Sequence, residues 1–511
     1  MNPETANVNQ KSYRLFAAAL FVAAAVRFYL LWQYYCISSD GIYYIEAAKD
    51  FFAGNIAAGL ASVYPPGYPV LIAAVFPLVG DWELAGQLLS LLFGVLLLWP
   101  LYLLFRDVYN ERVAVIACFL AAVSPFLARY SAHVRTESPF LFFSVLALLL
   151  FDRAIENKLL GYFLYGGLAA GFAYLVRPEA LGFLVIVPAF LGFRWLIKKE
   201  PGISRIVTSS TVVAAAFMVF ALPYIVYLSI DTGHWGAVSR KAGVTLAISL
   251  GESGLLQSDD GSDGANAESQ EFVELIRRHP GQYLKKVALG FFPAVWAFFE
   301  ALHFTYVPFL LLGWFVIFRE RFWERKDFLI LVFVGFYIFA FMLIYVKRRY
   351  SLQVVPVSLG WAALGMIWIW RYLNDTFSSR TRRVVALLLS VAFLAGTLPK
   401  TLSSISRDKA YIREAGWYLR ERNSSGGLNV AVIDVRITFY ARANAILIFG
   451  TEESALPGQL REGKADYLAM DAKAWRKFYP RLAAQPDRYG LALAREFVGS
   501  RKDRVFVFKV M

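Results

Sequence analysis

The feature that most constrains this chain is a succession of long apolar runs. Residues 13–34, 83–105, 113–128, 138–153, 160–176, 179–197, 206–230, 302–319, 327–346, 350–370 and 383–398 are dominated by apolar side chains. About 20 such residues cross the hydrocarbon core as a helix, the one open form that satisfies its own backbone there. The pattern predicts an all-α polytopic membrane domain of about eleven transmembrane helices. Composition agrees: the 511 residues are 58% hydrophobic and 18% charged, with a mean hydropathy of +0.50, which a soluble domain rarely reaches. The stretch 66–80 is apolar but short, with prolines at 66, 69 and 77. It reads as a re-entrant or interfacial helix.

Charge sets the orientation. With 66–80 not crossing, eighteen lysines and arginines fall in the connections of one side, among them Arg106, Lys158, Arg194 and Arg205. Seven fall in the short connections of the other, namely Lys49, Arg129, Arg135, Arg177, Lys347, Arg348 and Arg349. The positive-inside rule then predicts a cytoplasmic N-terminus. It puts Asp40, Glu137, Arg177, Arg348, Arg349 and Tyr350 on the outer face, with an outer loop over 35–82 carrying juxtamembrane helices and another over 231–301. The formal charge of +14 is explained by basic loops beside anionic lipid. No basic cluster interleaved with aromatics points to nucleic acid. Cys36 and Cys118 lie at or in predicted spans, which excludes a disulfide framework. The four histidines, His133, His234, His279 and His303, show no ligand spacing. The reading is therefore no metal site and no cofactor, although the carboxylates leave room for a divalent ion. The first run is too long for a cleaved signal peptide and reads as an anchor.

Within 231–301, the stretch 258–264 is acidic and turn-rich, residues 268–278 read as a helix, and 284–300 fits either an interfacial segment or an extra pair of spans. The chain divides at about 401. Residues 1–401 form the membrane domain. Residues 402–511 read as a small extracytoplasmic α/β domain, with helices over 408–421 and 472–482 and strands over 429–434, 445–449, 467–470 and 505–510.

Several residues carry chemistry at the expected outer face. Asp40 follows the first span almost at its exit. Arg27 lies inside that span, where a charge is costly and needs a partner. It either supports the loop, touches a lipid phosphate, or pairs across helices for structure. Glu137 lies at the outer end of two spans, where a second carboxylate can position an acceptor hydroxyl. Its structural alternative is the first turn of a helix capped by Thr136 or Ser138. Arg177, Arg348 and Arg349 run against the positive-inside trend. They suit a phosphate, which arginine grips with two parallel bonds, or act as anchors near the headgroups.

The order of these pieces resembles a known family. Asp40 is followed by Tyr43, Tyr44 and Ala47, then Gly54 and Pro65-Pro66. Ser124-Pro125 and Thr136-Glu137-Ser138 come next, then Arg177-Pro178, Arg349-Tyr350 and Pro356. Over roughly residues 10–400 this is similar to the bacterial GT-C glycosyltransferases related to dolichyl-phosphate-mannose–protein mannosyltransferases and lipid A aminoarabinose transferases. The resemblance implies that Asp40 is the catalytic acid/base centre and that Glu137 is the acid of the second outer loop. It implies that Arg349 and Tyr350 lie near the donor phosphate. Two positions depart from the pattern: Gly41 where many relatives have a second acid, and Tyr64 where they often have histidine or lysine.

The implied function is transfer of a sugar from a polyprenyl-phosphate carrier to an acceptor hydroxyl on a protein, lipid A or another glycan or lipid. The location expected is the bacterial inner membrane. Asp40 is the catalytic candidate; Glu137, Arg177, Arg348, Arg349, Tyr350, Tyr64 and Arg27 are the substrate-binding candidates. A flippase of lipid-linked sugars would want buried mid-membrane charges and related halves. A polysaccharide ligase or polymerase would concentrate its residues in one large outer loop. A non-catalytic scaffold would explain neither Asp40 nor the outer arginines.

Overall fold

The computed structural model describes residues 3–233, 280–318, 322–343, 347–423, 426–500 and 503–511, with positions 235, 239, 240 and 277. The acidic stretch expected at 258–264 and, apart from Arg277, the helix expected over 268–278 lie outside the described residues, as do His234 and His279. The chain forms two compact units. One comprises residues 1–29 and 47–403; the other comprises 30–46 and 404–511.

The first unit is helical. Among the described residues, seven helices are long and apolar enough to cross a membrane: Ser12–Trp32, Trp82–Val108, Glu137–Asn157, Pro178–Lys198, Ile203–Thr232, Arg348–Thr376 and Ser379–Thr401. The pair Phe291–Leu302 and Val307–Ile317, bent by 113°, makes up to eight. The expected eleven are therefore not all present as single long helices. Residues 113–128 break at Ser124-Pro125 into helices Glu111–Val123 and Pro125–Tyr130, because the residue before proline leaves the helical region. Leu160–Val176 and Phe328–Leu343 fall short of the length of a full crossing. The stretch 66–80 is a 13-residue helix, Gly67–Val79, stopped by Gly80 in the left-handed conformation.

Small residues let these helices approach closely. A β-carbon on Gly171 would come within 2.5 Å of the Phe217 carbonyl oxygen. This locks Leu160–Val176 onto Ile203–Thr232. Arg27, with none of its surface exposed, spends its guanidinium on two helix carbonyls, at 3.1 Å from Ala23 O and 3.3 Å from Ala122 O. Asp327 is likewise buried and accepts bonds from Tyr109 (2.7 Å), Arg325 (2.8 Å) and Trp361 (3.0 Å).

The second unit is built on a five-stranded sheet in the order β2-β1-β3-β5-β4. Its strands are β1 (Asn429–Val432), β2 (Asn444–Leu447), β3 (Tyr467–Asp471), β4 (Leu491–Val498) and β5 (Arg504–Val510). The first three are parallel and joined through helices; β4 and β5 add an antiparallel hairpin. Leu460, Leu468, Trp475, Leu482 and Phe508 lie in its core. The sequence pattern does not mark β4 as a strand, because its edge position leaves Arg495 and Glu496 exposed and blurs its alternation. The helix expected over 472–482 is two, Ala472–Phe478 and Pro480–Ala484, the second opened by its proline.

The segment 30–46 is bound into this same unit. Tyr34 bridges to Ile405, and the Tyr35 amide donates to the Ile405 carbonyl at 3.0 Å. The Ile37 amide donates to the buried Tyr440 hydroxyl at 2.7 Å. Arg413 lies over Tyr35 and Trp417.

Candidate active site

Proline and helix ends aim the charged side chains of the first unit. Pro178 ends the helix Leu160–Val176 and forces Arg177 into an extended conformation (φ −152°, ψ 131°). Arg177 thereby leaves the helix direction. Its Nη1 lies 3.3 Å from Glu137 Oε1, and its Nη2 donates to Glu179 Oε1 at 2.6 Å. Lys347, also extended, opens a single helical turn, Arg348–Ser351. Successive residues on a helix point about 100° apart, so Arg348 and Arg349 diverge. Arg349 Nε donates to Glu137 Oε1. Arg348 instead pairs with Glu300 at 2.5 Å and lies over the Phe126 ring.

Glu137 is the centre of the cluster. It is 2% exposed and opens the helix Glu137–Asn157, whose N-cap Thr136 makes no side-chain cap bond. Its ion pairs among the described residues fall on one oxygen: Oε1 meets Arg349, Arg177 and, at 3.9 Å, Arg135. Oε2 is buried with no hydrogen-bond partner among the described residues. Among the described residues, the carboxylates of Glu137 and Glu179 face the guanidiniums of Arg135, Arg177 and Arg349. Tyr350 and Phe140 each stack against Arg177, at 5.7 and 5.5 Å. A small pocket opens here, lined by Glu137, Arg177, Arg349, Tyr350 and Gln353. The Gln353 Nε2 is also buried without a hydrogen-bond partner among the described residues.

A second layer fixes this arrangement. The fully buried Tyr68, on the short helix Gly67–Val79, accepts the Arg135 amide at 3.0 Å and bonds Ser90 at 2.7 Å. Ser90 in turn donates to the Arg135 carbonyl at 3.0 Å. Tyr337 donates to the Glu179 carbonyl at 2.9 Å. Burial would lower the Arg177 pKa, but Glu179 and Glu137 outweigh it and hold the guanidinium charged. For His133, burial and the nearby Arg135 and Arg129 push the imidazole pKa well down, so the ring stays neutral.

The structure thus brings together Glu137, Arg177, Arg349 and Tyr350. It does not bring Arg348 or Arg27 to them, since each is engaged elsewhere. Tyr64 is partly buried, and its amide donates to the Ser62 hydroxyl at 3.3 Å. Asp40 belongs to the second unit. It is half-buried in the first turn of the helix Ser39–Phe52, whose apolar stripe runs through Ile42, Tyr44, Ile45 and Ala48. Sequence reasoning missed Arg135, Glu179 and Gln353 as members of the cluster. Arg135 and Glu179 stand two residues from Glu137 and Arg177, which is the one signal they gave. Among the described residues, no three His, Cys, Asp or Glu side chains converge as metal ligands would.

Residues 63–227, about a third of the chain, match the family model described as dolichyl-phosphate-mannose-protein mannosyltransferase. This segment includes Glu137, Arg177 and Arg135. No curated protein sequence matches the chain. Several solved structures are similar over nearly its whole length. One is the Archaeoglobus fulgidus oligosaccharyltransferase in complex with Zn and sulfate, at 16% identity and TM-score 0.61, covering 97% of this chain and 73% of that one. Another is ArnT from Cupriavidus metallidurans in the apo state, at 13% identity and TM-score 0.60, covering 98% of each chain. The same ArnT bound to undecaprenyl phosphate matches at 14% identity and TM-score 0.56, covering 97% of each. The chain has the GT-C fold of these membrane glycosyltransferases.

Proposed function

We propose that this chain is a membrane glycosyltransferase that moves a sugar from a polyprenyl-phosphate carrier to an acceptor hydroxyl on a protein, lipid A or another glycan or lipid. The observation that carries the reading is the cluster at Glu137. Three arginines surround one buried carboxylate beside a small pocket that Arg177 and Arg349 line. Arginine suits phosphate by charge and by the shape of its fork. ArnT, whose fold is shared, is known bound to undecaprenyl phosphate.

In this reading Arg349 and Arg177 grip the donor phosphate and stabilise the charge that collects on it as the sugar–oxygen bond breaks. Tyr350 places its ring face beside Arg177. Glu137 holds the arginines through Oε1 and offers Oε2 to a sugar or acceptor hydroxyl. Asp40 takes the acceptor proton as the new glycosidic bond forms, most simply with inversion. The charge asymmetry of the connections supports a cytoplasmic N-terminus, an outer active face and an extracytoplasmic 402–511 domain; the membrane proposed is a bacterial inner membrane.

The test is incubation of the purified chain in nanodiscs with radiolabelled polyprenyl-phosphate sugars and membrane acceptors. Label should move to a macromolecule, and Arg349→Ala should reduce that transfer. Translocation of intact donor across the bilayer without bond cleavage would sink the transferase reading in favour of a flippase.

A further inference from the structure

A cavity of the first unit lies far from the Glu137 cluster. It has a volume of about 270 Å³ and is bordered by Lys158, Arg194, Glu200 and Arg205, with Phe163 and Leu191 deeper in. Glu137 and Lys158 flank the same helix, Glu137–Asn157. At 1.5 Å per residue, those 21 residues separate the two sites by roughly 30 Å. The cavity therefore sits where the spans Glu137–Asn157, Pro178–Lys198 and Ile203–Thr232 reach the membrane surface, on the side that carries most of the basic connections.

Its chemistry is two-layered. Phe163 and Leu191, each 2% exposed, line the apolar depth. The rim holds three cations against one carboxylate. Lys158 and Glu200 pair loosely, at 3.9 Å with both side chains about two-thirds exposed, so this pair contributes little. Arg205 donates to the Lys158 carbonyl, which fixes its guanidinium at the rim. The helix Ile203–Thr232, 30 residues long, starts here from Gly202, and its N-terminal dipole adds to the positive field. A phosphate at the rim with a hydrocarbon tail on the apolar wall satisfies both layers.

We infer that this cavity binds the headgroup of an anionic phospholipid from the leaflet around it. It is separate from the proposed donor site in position and does not depend on that reading. A basic residue beside an anionic lipid surface contributes about 1 kcal/mol, or roughly fivefold in affinity.

The experiment uses the purified full chain in detergent, with native mass spectrometry for retained lipid and thermal unfolding for stabilisation. The probes are dioleoyl phosphatidylglycerol, dioleoyl phosphatidylcholine and inorganic phosphate. Phosphatidylglycerol should be retained and should raise the Tm, while phosphatidylcholine and inorganic phosphate should do little. Arg194→Ala/Arg205→Ala should weaken phosphatidylglycerol binding roughly 25-fold, and Glu200→Gln should tighten it roughly fivefold. Equal binding of the two lipids to the unaltered chain overturns the inference. So does stabilisation by inorganic phosphate as large as that by phosphatidylglycerol, which would make the cavity a site for free phosphate. Should the double alanine variant fail to fold, Arg194→Lys/Arg205→Lys and Glu200→Gln decide. Retained binding in the first with tighter binding in the second supports the site; no change in Glu200→Gln overturns it.

Discussion

Asp40 and Glu137 look alike in the sequence. Each is an acid just beyond a span on the expected outer face, and each stands in the first turn of a helix. Their surroundings differ. Glu137 is sealed among three guanidiniums, with one oxygen committed to them. Asp40 is half-buried on an amphipathic helix whose preceding residues are tied to the sheet unit through Tyr440 and Ile405. A carboxylate held by three cations is a poor proton acceptor, because protonation would strand positive charge. It is well suited to keeping arginines in place. The difference teaches that position in a loop does not assign a role; the company of each carboxylate does.

The largest expected effect breaks the comparison at Asp40. Asp40→Asn keeps the shape and loses the base, so transfer per folded molecule should fall by roughly 10²–10⁴, while donor binding and thermal stability hold. Near-normal turnover in that variant would remove Asp40 from the chemistry. Glu137→Gln should act first on the fold. Removing one partner of a buried ion cluster costs about 3–5 kcal/mol, visible as a lower Tm and less folded protein in detergent. A Glu137→Gln variant that is fully stable yet inactive would make Glu137 the reacting acid and reverse the roles.

Smaller effects sharpen the contrast between neighbours. Arg349→Ala should weaken donor use by roughly ten- to a hundredfold, the loss of a charge-assisted bond of about 1.5–3 kcal/mol. Arg349→Lys should restore only part of it, since lysine lacks the fork; KM for the donor reports both. Tyr440→Phe leaves the buried Ile37 amide unpaired at about 1–3 kcal/mol. Its expected signature is faster hydrogen exchange at residues 34–40, and unchanged exchange there would detach Tyr440 from the loop. Arg348→Ala should be the mildest. Its pair with Glu300 is about 40% exposed on both sides, and such pairs contribute about 0–1 kcal/mol. Donor kinetics hit as hard as in Arg349→Ala would place Arg348 at the phosphate as well.

The sequence by itself determined the class of the molecule. Runs of apolar residues must be buried in lipid as helices, so an α-helical membrane fold with a mixed C-terminal unit was legible from composition and period alone. Arg177 and Glu137 stood out in the sequence as candidates, Arg177 because it runs against the positive-inside trend and Glu137 because it lies at the outer end of two spans. What only the tertiary structure decided was company. The 100° step between Arg348 and Arg349 sends adjacent, identical side chains to Glu300 and Glu137. Arg27 reads as a candidate ligand until the helices close and its guanidinium is taken by the Ala23 and Ala122 carbonyls. Arg135 joins the cluster through Tyr68 and Ser90, which are 67 and 45 residues away along the chain. Local pattern fixes which residues lie at a helix end, since it depends on dihedrals and periodicity. Which partners a side chain meets depends on contacts between distant segments, and no short-range pattern encodes those.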